Sequence, residues 1–191
     1  MAIAINGSSN TITGLAVGGL PDGIVDTDML AANAVTAAKT TVAGITMVQV
    51  WGLNSNFSGN ATPITGWTKY TSGNAGNLGS DMVESSGIFT FPSTGFYMIE
   101  TQGYHYGAGS NSSTTIYPRF TTDNGSSFGN ITRSYTNIPD LSGTWYNTSY
   151  NKHFFDVTNV STHKCRIDTD GNSQNINADG TLVRFIRLAD T

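Results

Sequence analysis

Gly87-Ile88-Phe89-Thr90-Phe91-Pro92-Ser93-Thr94-Gly95-Phe96-Tyr97-Met98-Ile99 is the stretch whose reading decides the fold. Ile88 to Phe91 is β-branched and aromatic, as strands prefer. Pro92 cannot donate a ladder hydrogen bond, and Gly95 admits a backbone conformation closed to other residues, so the chain turns between them. A second apolar run then begins at once. Two strands separated by so short a Pro/Gly turn point to a β-sandwich.

Outward from this stretch, strand-like runs recur near 46–53, 65–70, 81–84, 87–91, 96–106, 114–122, 128–136, 143–157, 162–169 and 181–189. Pro92-Ser93-Thr94-Gly95, Asp123-Asn124-Gly125-Ser126 and Asp170-Gly171-Asn172 punctuate them with turn residues. Side-chain alternation in two of the runs is unusual. Phe96 and Met98 fall on one face and Tyr97 and Ile99 on the other; Leu182, Ile186 and Leu188 oppose Val183 and Phe185. A sandwich strand in a monomer needs only one apolar face, so Phe96, Tyr97, Met98, Ile99, Val183, Phe185 and Ile186 are candidates for the core and for a subunit interface.

The pattern Gly-x-Phe-Thr-x-Pro-x-x-Gly-x-Tyr, here Gly87 to Tyr97, resembles the signature region of the complement component 1q and tumour necrosis factor jelly-roll family. The resemblance spans residues 45–191 and rests mainly on 87–99 and the final strand. It implies an all-β, ten-strand jelly-roll sandwich assembled as a homotrimer, with one face of the inner sheet on the core and the other on the threefold axis. Heads of this family are recognition modules. Thr101 and Gly103 depart from its pattern, which prefers bulkier residues there.

Residues 1–44 contain no Phe, Tyr, Trp or Cys and cannot build a core of their own. Ala2-Ile3-Ala4-Ile5 and Thr11 to Val17 read as small β elements, and Gly18 to Gly23 breaks the chain. A short helix is expected over 26–39, capped by Asp26 or Thr27, with Asp28 and Lys39 placed to suit its dipole. At two or three turns it needs partners to be stable. The run Ile12 to Leu30 resembles the N-terminal or neck segments of tail-fibre-like proteins from marine bacteriophages. That resemblance implies an attachment and neck segment, 1–44, preceding a head, 45–191.

Composition narrows the functional classes. Of 191 residues, 12% are charged, the net charge is −4, and Lys and Arg are scattered from Lys39 to Arg187, which argues against nucleic-acid binding. No run reaches the roughly 18–20 apolar residues of a membrane helix, and the N-terminus lacks the layout of a signal peptide. Cys165 is the single cysteine, so no intrachain disulfide forms, and a buried thiol is expected. Eight Asn-x-Ser/Thr sequons are accounted for by the abundance of those residues. No metal and no cofactor are expected. His105, His153 and His163 lack metal-site spacing; His105 shares a face with Tyr97 and Ile99 and reads as a hydrogen-bonded core or axial residue, and only three copies of it meeting in a trimer would make a metal geometry. Asp168-Thr169-Asp170-Gly171-Asn172 reads as a β-turn rather than a calcium loop, because its glycine comes too early. No nucleophile, phosphate-binding or dinucleotide motif is present, so no enzymatic activity is expected.

The functional expectation is a bacteriophage virion structural protein, a trimeric fibre or appendage exposed on the virion surface and assembled in the host cytoplasm. Residues 1–44 would join another virion protein, and the head would bind a host-surface glycan or protein. The alternative is a capsid-decorating or assembly protein that contacts no receptor. Counting antiparallel strands back from a C-terminus at the stalk puts loops 107–113, 137–142 and 170–180 at the far tip, and 123–127 and 158–161 at the base. Candidate receptor-binding residues are therefore Asn111, Asp140, Asn172, Gln174 and Asn175, with Tyr135 and Trp145 flanking them as flat faces for sugar rings.

Overall fold

A computed structural model describes residues 4–6, 8, 11–13, 44–71, 76–108, 112–129, 133–138, 143–171 and 175–191. The chain divides into two compact units, Met1–Thr41 and Val42–Thr191. In the first, β1 (Ala4–Asn6) and β2 (Thr11–Thr13) pair antiparallel, and the expected helix over 26–39 lies outside the described residues.

The second unit is an antiparallel sandwich. Its strands are β3 (Met47–Leu53), β4 (Phe57–Ser58), β5 (Trp67–Lys69), β6 (Val83–Ser85), β7 (Ile88–Thr90), β8 (Gly95–Ala108), β9 (Ser112–Thr121), β10 (Thr136–Ile138), β11 (Thr144–Val157), β12 (Lys164–Gly171), β13 (Asn175–Ile176) and β14 (Leu182–Ala189). One sheet has the order β4-β13-β8-β14-β3-β5, with β11 on the other edge of β8; the second has the order β10-β9-β12-β7-β6. Both sheets together make an all-β jelly roll.

The opening stretch works as a sheet switch. β7 pairs with β6 and β12 in one sheet, while β8 pairs with β11 and β14 in the other, so the turn at 91–94 carries the chain across the sandwich. Gly95 has φ +144, and a Cβ there would stand 2.6 Å from the Ala189 carbonyl oxygen, so the crossing needs glycine. Phe91 and Tyr97, on either side of the turn, then meet across the core with ring centroids 4.7 Å apart. Trp51, Trp67, Phe89, Phe120 and Phe185 join them in one buried cluster. Burial of each such ring stabilises the sandwich by roughly 1.5–3 kcal/mol.

Toward the far ends of β8, β9 and β11 the interior becomes polar. Gly103 has no space for a side chain, since a Cβ would lie 2.8 Å from both His105 Nε2 and Ile116 Cγ1. Thr101 is buried with its hydroxyl donating to the Ile116 carbonyl at 3.2 Å. Gly103, one of the two departures, thus makes room for a buried histidine.

Three sequence expectations are corrected. Among the described residues of the run 128–136, only Gly129 bridges to Phe120 and only Thr136 belongs to a strand, β10, while Phe128 and Tyr135 lie against the outside of the second sheet. Asp168 to Gly171 is not a turn but the end of β12, because Asp168 is buried between two guanidinium groups and its strand pairs with β9 through Gly171. Two short strands, β4 and β13, extend the ten-strand layout, held by one another and by β8.

Candidate functional site

Strand pairing fixes which loops share an end. Ala108 is opposite Thr144, Gly171 opposite Thr114, Asn175 opposite Tyr106 and Leu182 opposite Gly52. The connections after β3, β8, β10 and β12 therefore meet at one end of the sandwich, the tip. At the opposite end Arg187 pairs with Met47 and donates to Thr46 and to the Thr94 carbonyl, both at 2.9 Å, while Asn124 donates to Thr162. The head thus begins and ends at its base.

The candidate receptor residues fare differently from one another. Asn111, Asp140, Asn172 and Gln174 lie outside the described residues. Asn175 is half-buried in β13 and accepts from Ser58 Oγ at 2.5 Å. Trp145 is buried against Gly107, its strand partner, and offers no flat face to a ligand. Tyr135 is exposed, but its hydroxyl donates to Asp170 at 2.7 Å and receives a bond from Arg133, which also pairs with Asp170. Burial and the Asp170 bond raise its phenol above the ordinary value.

Outward-facing residues of β8, β11 and β14 form the most conspicuous surface. Register places Phe154 beside Met98, Met98 beside Ile186, and Ile186 beside Val48, an apolar row across four strands. The next row is charged: Lys152 pairs with Glu100 at 2.7 Å, and Arg184 follows. Tyr150 lies beyond it, donating to Gln102 at 2.8 Å, and Tyr146 stacks between Tyr104 and Tyr106 at 5.5 and 6.4 Å. Tyr146, Tyr150 and Phe154 are 57–59% exposed and Phe96 is 42% exposed. The other parity, Tyr97, Ile99, Val183 and Phe185, is fully buried between the sheets. The candidates read from alternation thus divide: four fill the core, and Phe96, Met98 and Ile186 face outward.

Interior ionisable groups are tied to structure. His105 is fully buried between Ser149 Oγ at 2.8 Å and Thr114 Oγ1 at 3.2 Å, and desolvation lowers its pKa to about 4. Placed there, it cannot meet copies of itself outside the sandwich, which removes the one metal geometry considered. His163 lies between Thr158 and Thr162, and His153 packs edge-on against Phe120. Burial pushes the Cys165 thiol well up. It also raises the Asp168 carboxyl, against the pull of Arg166 at 2.9 Å and Arg119 at 3.4 Å. Among the described residues no three His, Cys, Asp or Glu side chains gather as a metal site. Arg166 and Asp168 are neighbours on one face of β12, and Arg119 joins them from the adjacent β9, a cross-strand contact that spacing along the chain does not reveal.

No family model and no curated protein matches the sequence. Solved structures do match in fold. Murine APRIL is 14% identical, with a TM-score of 0.55 over 74% of this chain and 98% of that one. Eiger TNF from S. frugiperda is 11% identical, with a TM-score of 0.58 over 78% of this chain and 96% of that one. At such identity the likeness speaks of architecture alone: the head has the tumour necrosis factor-like jelly-roll fold.

Proposed function

We propose that this chain is a structural protein of a bacteriophage virion, a homotrimeric fibre or appendage whose head binds a host-surface glycan or protein. The observation that carries the reading is the outer face of β8, β11 and β14. Tyr146, Tyr150, Phe154 and Phe96 expose large rings on this face, with Phe154 beside Met98 and Ile186 in an apolar row that the Lys152–Glu100 pair and Arg184 separate from the tyrosines. Apolar patches of this kind mark association surfaces. Trimerisation would bury this face, which is the arrangement expected from the resemblance to the complement 1q and tumour necrosis factor family.

Residues 1–44 join the head to another virion protein in this reading, supported by their likeness to phage fibre necks. With both ends of the head at its base, the tip is left for recognition. Residues buried in the sandwich are engaged in packing and hydrogen bonding, and binding rather than catalysis is the role proposed. Immunogold labelling of virions with antibody to the purified chain tests the location, and competition by that chain tests recognition. Labelled appendages and inhibited adsorption are expected. Labelling of the capsid shell with undiminished adsorption would favour decoration instead.

A further inference from the structure

Two open clefts lie on the head. One, lined by Glu100, Tyr150, Asn151, Lys152 and Arg184, lies on the face that trimerisation would cover. The other, of about 300 Å³, is formed by the chain between β3 and β5 and contains no residue of that face. Its floor is apolar: Ile64 is buried, and Phe57 and Ala61 are half-buried against the core. Its rim is Ser55, Ser58, Asn60 and Thr65, all exposed.

We propose that this cleft is a subsite for one neutral sugar ring of a glycan. The inference rests on the receptor-binding reading above and supplies its place and ligand class. None of the seven lining residues is ionisable, so nothing there selects a charged ligand. Hydroxyl and carboxamide groups both donate and accept, which matches the alternating demands of sugar hydroxyls, while Phe57 supplies an apolar surface for the ring's C–H face. The space suits one pyranose ring rather than a protein side, which needs a far larger contact.

An ordinary surface turn would not be fixed as this segment is. Ala61 and Thr169 exchange bonds, with Ala61 N donating to Thr169 Oγ1 at 2.7 Å and Thr169 N to the Ala61 carbonyl at 3.0 Å. Ile64 N donates to the Ile167 carbonyl at 2.7 Å, so the segment is sewn to β12 of the opposite sheet. On its other side Asn56 accepts from Ala178 N at 2.8 Å, and Ser58 donates to Asn175. Held on both flanks, the cleft loses little conformational freedom when a ligand enters, and weak sugar contacts are not spent on ordering a loop. It adjoins the tip through β13. Trp145, the aromatic platform expected from the sequence, is committed to packing; Phe57 takes its place.

The test is saturation-transfer NMR on the full chain with the methyl glycosides of glucose, galactose, mannose and N-acetylglucosamine, and with methyl glucuronide as the charged probe. At least one neutral glycoside should bind, and Thr65→Trp, which closes the mouth, should weaken it ten-fold or more. The double variant Ser55→Ala/Thr65→Ala, which removes rim hydroxyls and none of the bonds that hold the segment, should weaken it comparably, which covers a misfolded tryptophan variant. Binding by none of the neutral glycosides, preference for the glucuronide, or full binding by both variants would overturn the subsite. Competition for host adsorption by the Thr65→Trp chain keeps the two readings apart. Undiminished competition together with any of those results refutes the cleft and leaves the receptor role standing, whereas neutral-sugar binding with no competition by the unmodified chain refutes the role.

Discussion

His105 shows how much can turn on a single buried side chain. Among the described residues its ring bonds to Ser149 and Thr114, and it is held neutral by desolvation, with its pKa lowered to about 4. Between that value and the ordinary 6.5 the unfolded chain takes up a proton that the folded head refuses. The contribution of His105 to stability is therefore fully present above pH 6.5 and falls by roughly 3 kcal/mol as the pH drops to about 4, at about 1.36 kcal/mol per unit. Urea unfolding of the purified protein across this range should show the slope, and His105→Gln should flatten it. Asp168 presents the opposite case, a buried carboxylate between Arg119 and Arg166. Asp168→Ala leaves two half-buried cations without their counter-charge and should cost about 3 kcal/mol, read as a lower urea midpoint. The core position of His105 was legible from the face it shares with Tyr97 and Ile99, but its partners Ser149 and Thr114, like Arg119 beside Asp168, come from other strands, which spacing along one strand does not encode.

At the scale of elements, the strands that hydrophobic alternation could reveal were legible, and those with another origin were not. β3, β8, β11 and β14 carry long alternating runs, and both faces of β8 and β14 announced themselves through Phe96 to Ile99 and Leu182 to Ile186. β4 and β13 are two residues long and exist because neighbouring strands offer edges, a tertiary cause with no local pattern. The segment after Phe128 misled for a related reason. Its aromatics look strand-like, yet Phe128 lies under the Arg166 guanidinium, and Arg133 lies over the Tyr117 ring. The candidate binding residues were legible only as loops at one end; the cleft beside Phe57 depends on Ala61 and Ile64 reaching the opposite sheet. β11 carries the sharpest test of the outer face. Tyr150→Lys with Phe154→Lys adds charge to a surface that trimerisation would desolvate, so native mass spectrometry should find 20.2 kDa monomers in place of trimers. Trimers at the unmodified level would show that this face is not the subunit interface.

For the whole molecule, the division at Thr41 and Val42 separates a head with its own core from a segment without aromatic residues. Removing residues 1–41 should leave the melting temperature and oligomeric mass of the head unchanged and abolish incorporation into virions. A truncated chain that assembles normally would place the attachment function in the head. The pairing of β3 with β14 bears on mechanics as well. β3 enters from the base and is bonded in register to β14 from Met47 opposite Arg187 to Gly52 opposite Leu182. In the proposed role, a particle tugged by flow while the tip of the head is held would pull β3 along its own axis. That load is a shear, resisted by all six registered pairs together, whereas a perpendicular pull would peel them apart one after another. If the proposed anchor at the base and grip at the tip hold, they would put this joint under tension in its strongest direction.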